Sequence, residues 1–179
     1  TRKKKKPVRN EALQAGAKLE VPVELVDISG PGYLKVLTDP KYGYGSAINP
    51  CIDCRIFMFK RAKEYMKEIG AQFIFTGEVL GQRPMSQRTH PMRVIENDSD
   101  MEGLLLRPLS AKRLAETVPE KEGWVDREQL GNIQGRSRQV QMRLAREYGI
   151  EEYPSPAGGC CFLTDKNFAR RIMDFFDHE

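Results

Sequence analysis

Apolar and polar positions follow two different periods along this chain. Between Arg55 and Ile69 the apolar residues Met58, Phe59, Ala62, Met66 and Ile69 recur at spacings of three and four, with Lys and Glu between them and Gly70 as a stop. That pattern predicts an amphipathic helix. Gln72–Thr76, closed by Gly77, and Gly103–Leu106 are short apolar runs and predict strands. Upstream, Glu11–Leu19 reads as a short helix. Val21–Ile28 reads as a β-branched strand that ends at the turn Ser29-Gly30-Pro31-Gly32. A further helical turn fits Tyr33–Leu37, and Asp39-Pro40 with Gly43 and Gly45 predicts a loop up to Pro50. Later helices are expected at Ser110–Glu116, Arg138–Tyr148 and Asp165–Asp177, the last with Phe168, Ile172 and Phe175-Phe176 on one side.

Helix and strand therefore alternate, which predicts an α/β fold: a parallel sheet with helices on both faces. Such sheets bind ligands beyond the carboxyl ends of their strands, so the loops after residues 28, 76 and 106 are the places to search. With 179 residues, 40% of them hydrophobic, the chain suits a single domain over 1–179. Residues 1–10, with the unbroken basic run Arg2–Lys6, read as a solvated loop or tail. No run approaches the ~20 apolar residues of a membrane span, and no signal-peptide pattern follows the basic start. The expectation is a soluble, cytoplasmic protein with no membrane partner. Lys and Arg exceed Asp and Glu only by 29 to 25, so charge matters through its placement rather than its sum.

The four cysteines carry the candidate chemistry. In a reducing compartment they are ligands, nucleophiles or buried small residues rather than a disulfide framework. Asn49-Pro50-Cys51-Ile52-Asp53-Cys54 directly precedes the helix expected from Arg55. Cys54 near a helix N-terminus, with Arg55, Lys60 and Arg61 close in sequence, should be a reactive thiol. Cys51 and Cys54 could equally share a metal, although a tetrahedral site needs ligands from elsewhere. Cys160 and Cys161 follow a Pro-Ser-Pro-Ala-Gly-Gly stretch that suits a tight loop over an active site, against the plainer reading of two buried small residues. Two basic loops, with Arg83, Gln87 and Arg88 in one and Arg136 and Arg138 in the other, offer forked donors for RNA phosphates or base edges. Ser137 is a candidate helix cap there. His90, His178 and Trp124 read as structural or solvent-facing residues.

These motifs together resemble the bacterial tRNA 2-thiouridylases, in a thiouridylase-like branch of the PP-loop ATP pyrophosphatases. Asn49-Pro50 with Cys54 resembles their catalytic-cysteine motif, and Phe75-Thr76-Gly77 resembles their Thr-Gly strand end. Arg107-Pro108-Leu109-Ser110-Ala111-Lys112 looks like their Pro-Leu segment, and Gly159–Phe162 like their second cysteine. The match runs from about Val21 to Asp165. It implies an adenine nucleotide alpha hydrolase-like fold, tRNA as partner, and ATP with Mg2+ as cofactor at Gly77 and Glu78. It also implies a sulfur donor, either sulfide or a protein persulfide. By this match Cys54 and Cys161 are the catalytic pair, in a reaction that adenylates a uridine carbonyl and then displaces AMP with sulfur.

Sulfur would be carried as a cysteine persulfide or held on a [4Fe-4S] cluster, for which Cys51, Cys54 and one of Cys160 or Cys161 would supply three thiolates. The sequence departs from the family in three ways. The Ser-Gly-Gly-x-Asp-Ser signature is absent, which leads us to expect a strand and helix before Thr1. Glu78 stands where histidine is usual, and Cys51 is an extra thiol. The rival expectation is a non-catalytic RNA-binding module with a structural zinc held by cysteines; a third keeps the enzyme class but has a small-molecule acceptor. Assembly as a homodimer is compatible with all of these.

Overall fold

The computed structural model describes residues 11–150, 153 and 161–178. The longest element is the helix Cys51–Glu68, which begins earlier than the apolar spacing suggested. Three shorter helices frame it: Glu11–Lys18 (α1), Pro31–Thr38 (α2) and, after Cys51–Glu68 (α3), Thr89–Asp98 (α4). Ile74–Phe75 (β1) and Leu105–Leu106 (β2) pair in parallel, Ile74 with Leu105 and Phe75 with Leu106. The chain between them carries α4, so β1-α4-β2 is a parallel crossover unit. Val118–Lys121 (α5), Gln139–Glu147 (α6) and Lys166–Asp177 (α7) complete the helices of the described residues. A small parallel sheet among helices is compatible with the expected α/β class.

The core forms where α3 and α4 close over this pair of strands. Ile56, Phe59 and Met66 of α3 meet Ile95 of α4, Met101 and Leu105, with Ile52 and Ile74 packed alongside. The buried stripe of α3 is therefore 52, 56, 59 and 66, a helical spacing, whereas Met58 and Ile69 face outward. Gly70 ends the helix as expected. Its φ is +69°, and Ala71 N–H donates to the Met66 carbonyl while Gly70 N–H donates to that of Lys67. This is the double bond pattern of a left-handed glycine terminus.

Three expectations need correction. Val21–Ile28 forms no strand, and Val21, Leu25 and Val26 are more than half exposed; the β-branched pattern was present, but no described neighbour offers it an edge. Ser110–Glu116 shrinks to a single 3-10 turn, Ala111–Arg113. Arg113 and Leu114 N–H close that one turn on the Ser110 and Ala111 carbonyls, while Lys112 N–H turns away to the Gly131 carbonyl. His90 sits in the first turn of α4 rather than in a polar loop.

Candidate functional site

Cys51 is the first residue of α3 and Cys54 lies one turn in, with its N–H already bonded to the Pro50 carbonyl at 2.8 Å. The free N–H groups of the helix end thus lie closest to Cys51, and Cys54 occupies the same turn. The two thiols have different neighbours. Cys51 Sγ donates to Ser86 Oγ at 3.2 Å, and Cys54 Sγ lies 3.5 Å from the Tyr33 hydroxyl, within hydrogen-bonding reach for sulfur. None of Cys51, Cys54 and Cys161 is in a disulfide.

The loop before α3 is held by its own helix. Asp53 accepts from the N–H groups of Lys41 and Tyr42, at 2.9 and 3.1 Å, and Tyr42 and Lys41 in turn reach Asp98 on α4. So anchored, the loop presents the buried Asn49, whose Oδ1 accepts from Cys161 Sγ at 3.7 Å across 112 positions of sequence. Ile48 N–H bonds the Leu163 carbonyl beside it, which ties the segment after Cys161 to this loop. Tyr33 reports the convergence. Burial pushes its phenol up first, then the hydrogen bond with Cys54, and then the charges of Cys54, Cys161 and Cys51 in that order. One hydroxyl therefore lies within the electrostatic reach of three cysteines from two distant segments. Among the described residues no three His, Cys, Asp or Glu side chains stand as a metal-holding group. Cys160, and the proline and glycine run before it, lie outside the described residues.

Next to the thiols, beyond the carboxyl end of β1, a cavity of about 430 Å3 is lined by Arg55, Gly77, Glu78, Arg83, Gln87 and Arg138, among others. Five of these were sequence candidates; Arg55 joins them because it follows Cys54 on α3. Arg88 and Arg136 do not line the cavity. Arg88 is the exposed residue before α4, and Arg136 is exposed just past the bridge of Leu80 to Gln134. The cavity wall and the thiol cluster share backbone, since Arg55 adjoins Cys54 and Gln87 adjoins Ser86.

Glu78 is 4% exposed and is held from two sides. Arg107 Nε donates to one oxygen at 3.1 Å, and Arg55 lies 3.5 Å from the other. Arg107 also pairs with Glu96 on α4. This chain of charges runs from the core to the cavity and fixes where Arg55 sits. A second cavity, of about 480 Å3, lies between α4, β2 and residues 111–121; its arginines and glutamates are mixed, and it collects none of the sequence candidates apart from the framework residue Arg107. Trp124 stacks on Phe73 with centroids 6.3 Å apart, a packing role as expected. His178 Nδ1 lies 2.7 Å from the Asp174 carbonyl oxygen, and His90 is exposed.

Sequence reasoning missed Tyr33 and Ser86 as neighbours of the thiols and Gln141 as a cavity wall. No described helix is long and apolar enough to cross a membrane. No curated protein and no solved structure matches the chain. Residues 41–118, which hold Cys51, Cys54, Thr76-Gly77 and Arg107-Pro108, match the model of the family described as Thiamine biosynthesis protein (ThiI). Over that segment the chain is similar to a thiolation family of the PP-loop ATP pyrophosphatases, consistent with the thiouridylase-like resemblance of its motifs.

Proposed function

We propose that the protein transfers sulfur to a uridine of tRNA in an ATP-dependent reaction, with Cys54 as sulfur carrier and Cys161 as its partner. The observation that carries this reading is the shared environment of Cys54 and Cys161, one bonded to Tyr33 and the other to Asn49, beside a cavity rimmed by arginines. The family match supplies the reaction class, thiolation.

The cavity suits polyanions. Arg55, Arg83 and Arg138 offer fixed positive charge to phosphates, of RNA or of ATP, and the backbone at Gly77 leaves the approach open. ATP, when bound, supplies the activation of the base carbonyl oxygen as a leaving group. Glu78 accepts from Arg107 through one oxygen and faces Arg55 with the other, so it orients Arg55 at the cavity. Sulfur transfer then balances with residues of this chain. The sulfane sulfur of a Cys54 persulfide becomes bonded to the base carbon. The Cys161 thiol loses its proton and bonds to Cys54 Sγ, and the two thiols are oxidised to a disulfide as the transferred sulfur is reduced. An external dithiol resets the pair. Cys51, Cys54 and Cys161 do not stand as a chelating set among the described residues, and no step is routed through a cluster or zinc. The full layered fold belongs to the same proposal.

The test is thiolation by full-length protein with tRNA, ATP, Mg2+ and a persulfide donor, whose outer sulfur passes to the Cys54 thiol by exchange, read as thionucleoside by mass spectrometry. Thionucleoside from the wild type and none from Cys54→Ala or Cys161→Ala is expected. Tight tRNA binding with stoichiometric zinc and no product would instead establish the RNA-binding module.

A further inference from the structure

Tyr33 lies outside the segment that matches the thiolation family, and no sequence motif marks it, yet it is where the cysteines meet. Its position is fixed independently of any chemistry. The ring packs on Phe57 of α3, with centroids 5.8 Å apart and planes tilted by 56°. Gly32 sits so close to that phenyl that an added Cβ would stand 3.3 Å from it, which leaves α2 little freedom to slide along α3. Cys54 and Phe57 are three apart on one face of α3. A ring that lies on Phe57 therefore points its hydroxyl at Cys54, one turn back, and the separation there is 3.5 Å.

We propose that Tyr33 is a positioning residue, whose hydroxyl holds the sulfur borne on Cys54 in the space that it shares with Cys161. The inference rests on the sulfur-transfer reading for its purpose, but the bond itself does not. A neutral thiol and a phenol can exchange the roles of donor and acceptor. Once the sulfur is anionic, as thiolate or persulfide, it can only accept, and the phenol must donate. The environment suits that division of labour. Burial and the neighbouring cysteines keep the Tyr33 proton in place, so the hydroxyl is a standing donor. The side chain thereby fixes one orientation of the Cys54 sulfur.

Tyr33→Phe removes the donor and keeps the ring on Phe57, whereas Tyr33→Leu removes both. In the full-length protein, iodoacetamide alkylation of each cysteine at pH 7 is followed by peptide mass mapping. Loss of the donor leaves an anionic Cys54 sulfur with one hydrogen bond fewer to stabilise it. The expected result for Tyr33→Phe is a roughly threefold slower reaction at Cys54, with Cys51 unchanged as internal reference. In the thiolation assay the same variant should lower kcat several-fold and leave KM for tRNA unchanged. Wild-type alkylation and kcat in Tyr33→Phe, with impairment confined to Tyr33→Leu, would reduce Tyr33 to packing and overturn the proposal. Slower Cys54 alkylation in a protein whose wild type yields no thionucleoside would uphold the Tyr33 bond and refute sulfur transfer to tRNA.

Discussion

Replacing Arg107 by Met is the most informative perturbation of the framework that holds the site. The arginine side chain is 2% exposed, and Met fills most of its aliphatic volume, so the change removes charge rather than packing. It strands Glu78, 4% exposed, with Arg55 at 3.5 Å as the remaining cation, itself 32% exposed. Breaking a buried pair from one side costs about 3–5 kcal/mol. Glu96 is 20% exposed and can turn to water, and Arg55 still partly screens Glu78; both facts place the expected loss near the lower end, about 3 kcal/mol. With a urea slope of about 2 kcal/mol/M for a domain of this size, the unfolding midpoint should fall by roughly 1.5 M with no change in slope. Combining the substitution with Glu78→Gln should recover part of the loss, because the double variant buries no unpaired charge; the coupling in the cycle should be on the order of 1–3 kcal/mol. A midpoint shift for Arg107→Met below about 0.3 M, or strictly additive losses in the cycle, would refute the claim that this pair is the buried anchor between core and cavity.

Three other outcomes follow from the same structure. Ile95 is fully buried between α3 and β2, so Ile95→Ala should cost about 2–5 kcal/mol in the same urea assay, with the thiols' alkylation rates retained once folded. Burial alone would raise the Glu120 carboxyl, but bonds from Thr117 and Arg127 outweigh it and hold it below its ordinary value of 4.5. Its contribution is therefore present above that value and lost as pH falls through the depressed one, so the stability gap between wild type and Glu120→Gln should narrow below about pH 4 in acid titrations followed by circular dichroism. Cys51 bonds Ser86 rather than the Tyr33 hydroxyl, and Cys51→Ala should retain most thiolation activity; complete loss, accompanied by loss of bound iron, would shift the account to a cluster.

Much of the helical framework was legible because it is written in local signals. The stop at Gly70, the Asp165 carboxylate that accepts from the N–H groups of Asn167 and Phe168 at the start of α7, and the short apolar runs of β1 and β2 each act within a few residues. Elements decided by neighbours were misread. Val21–Ile28 has strand chemistry but no described edge to pair with, and α4 was hidden by Pro91 and by having only Met92 and Ile95 as buried positions. The site divides in the same way. Cys54 and Cys161 were visible through motif resemblance, Arg83 and Gln87 through loop position at the end of a strand, and Arg138 through its basic cluster before a helix. Tyr33 and Ser86 carry no motif, and their roles come from how α2 and the loop before α4 pack on α3. The Glu78–Arg107 pair joins residues 29 apart; each was noticed within its own motif, but no local pattern announces that the fold buries them together.

The central claim is that Cys54 and Cys161 act as one sulfur-handling pair. Its most direct test is a single turnover of full-length, persulfide-loaded protein with tRNA and ATP, quenched in acid and mapped for disulfides by mass spectrometry without reduction. A Cys54–Cys161 disulfide that appears in proportion to thionucleoside is the predicted result. Thionucleoside formed with Cys54 and Cys161 both still recovered as unlinked thiols would contradict it.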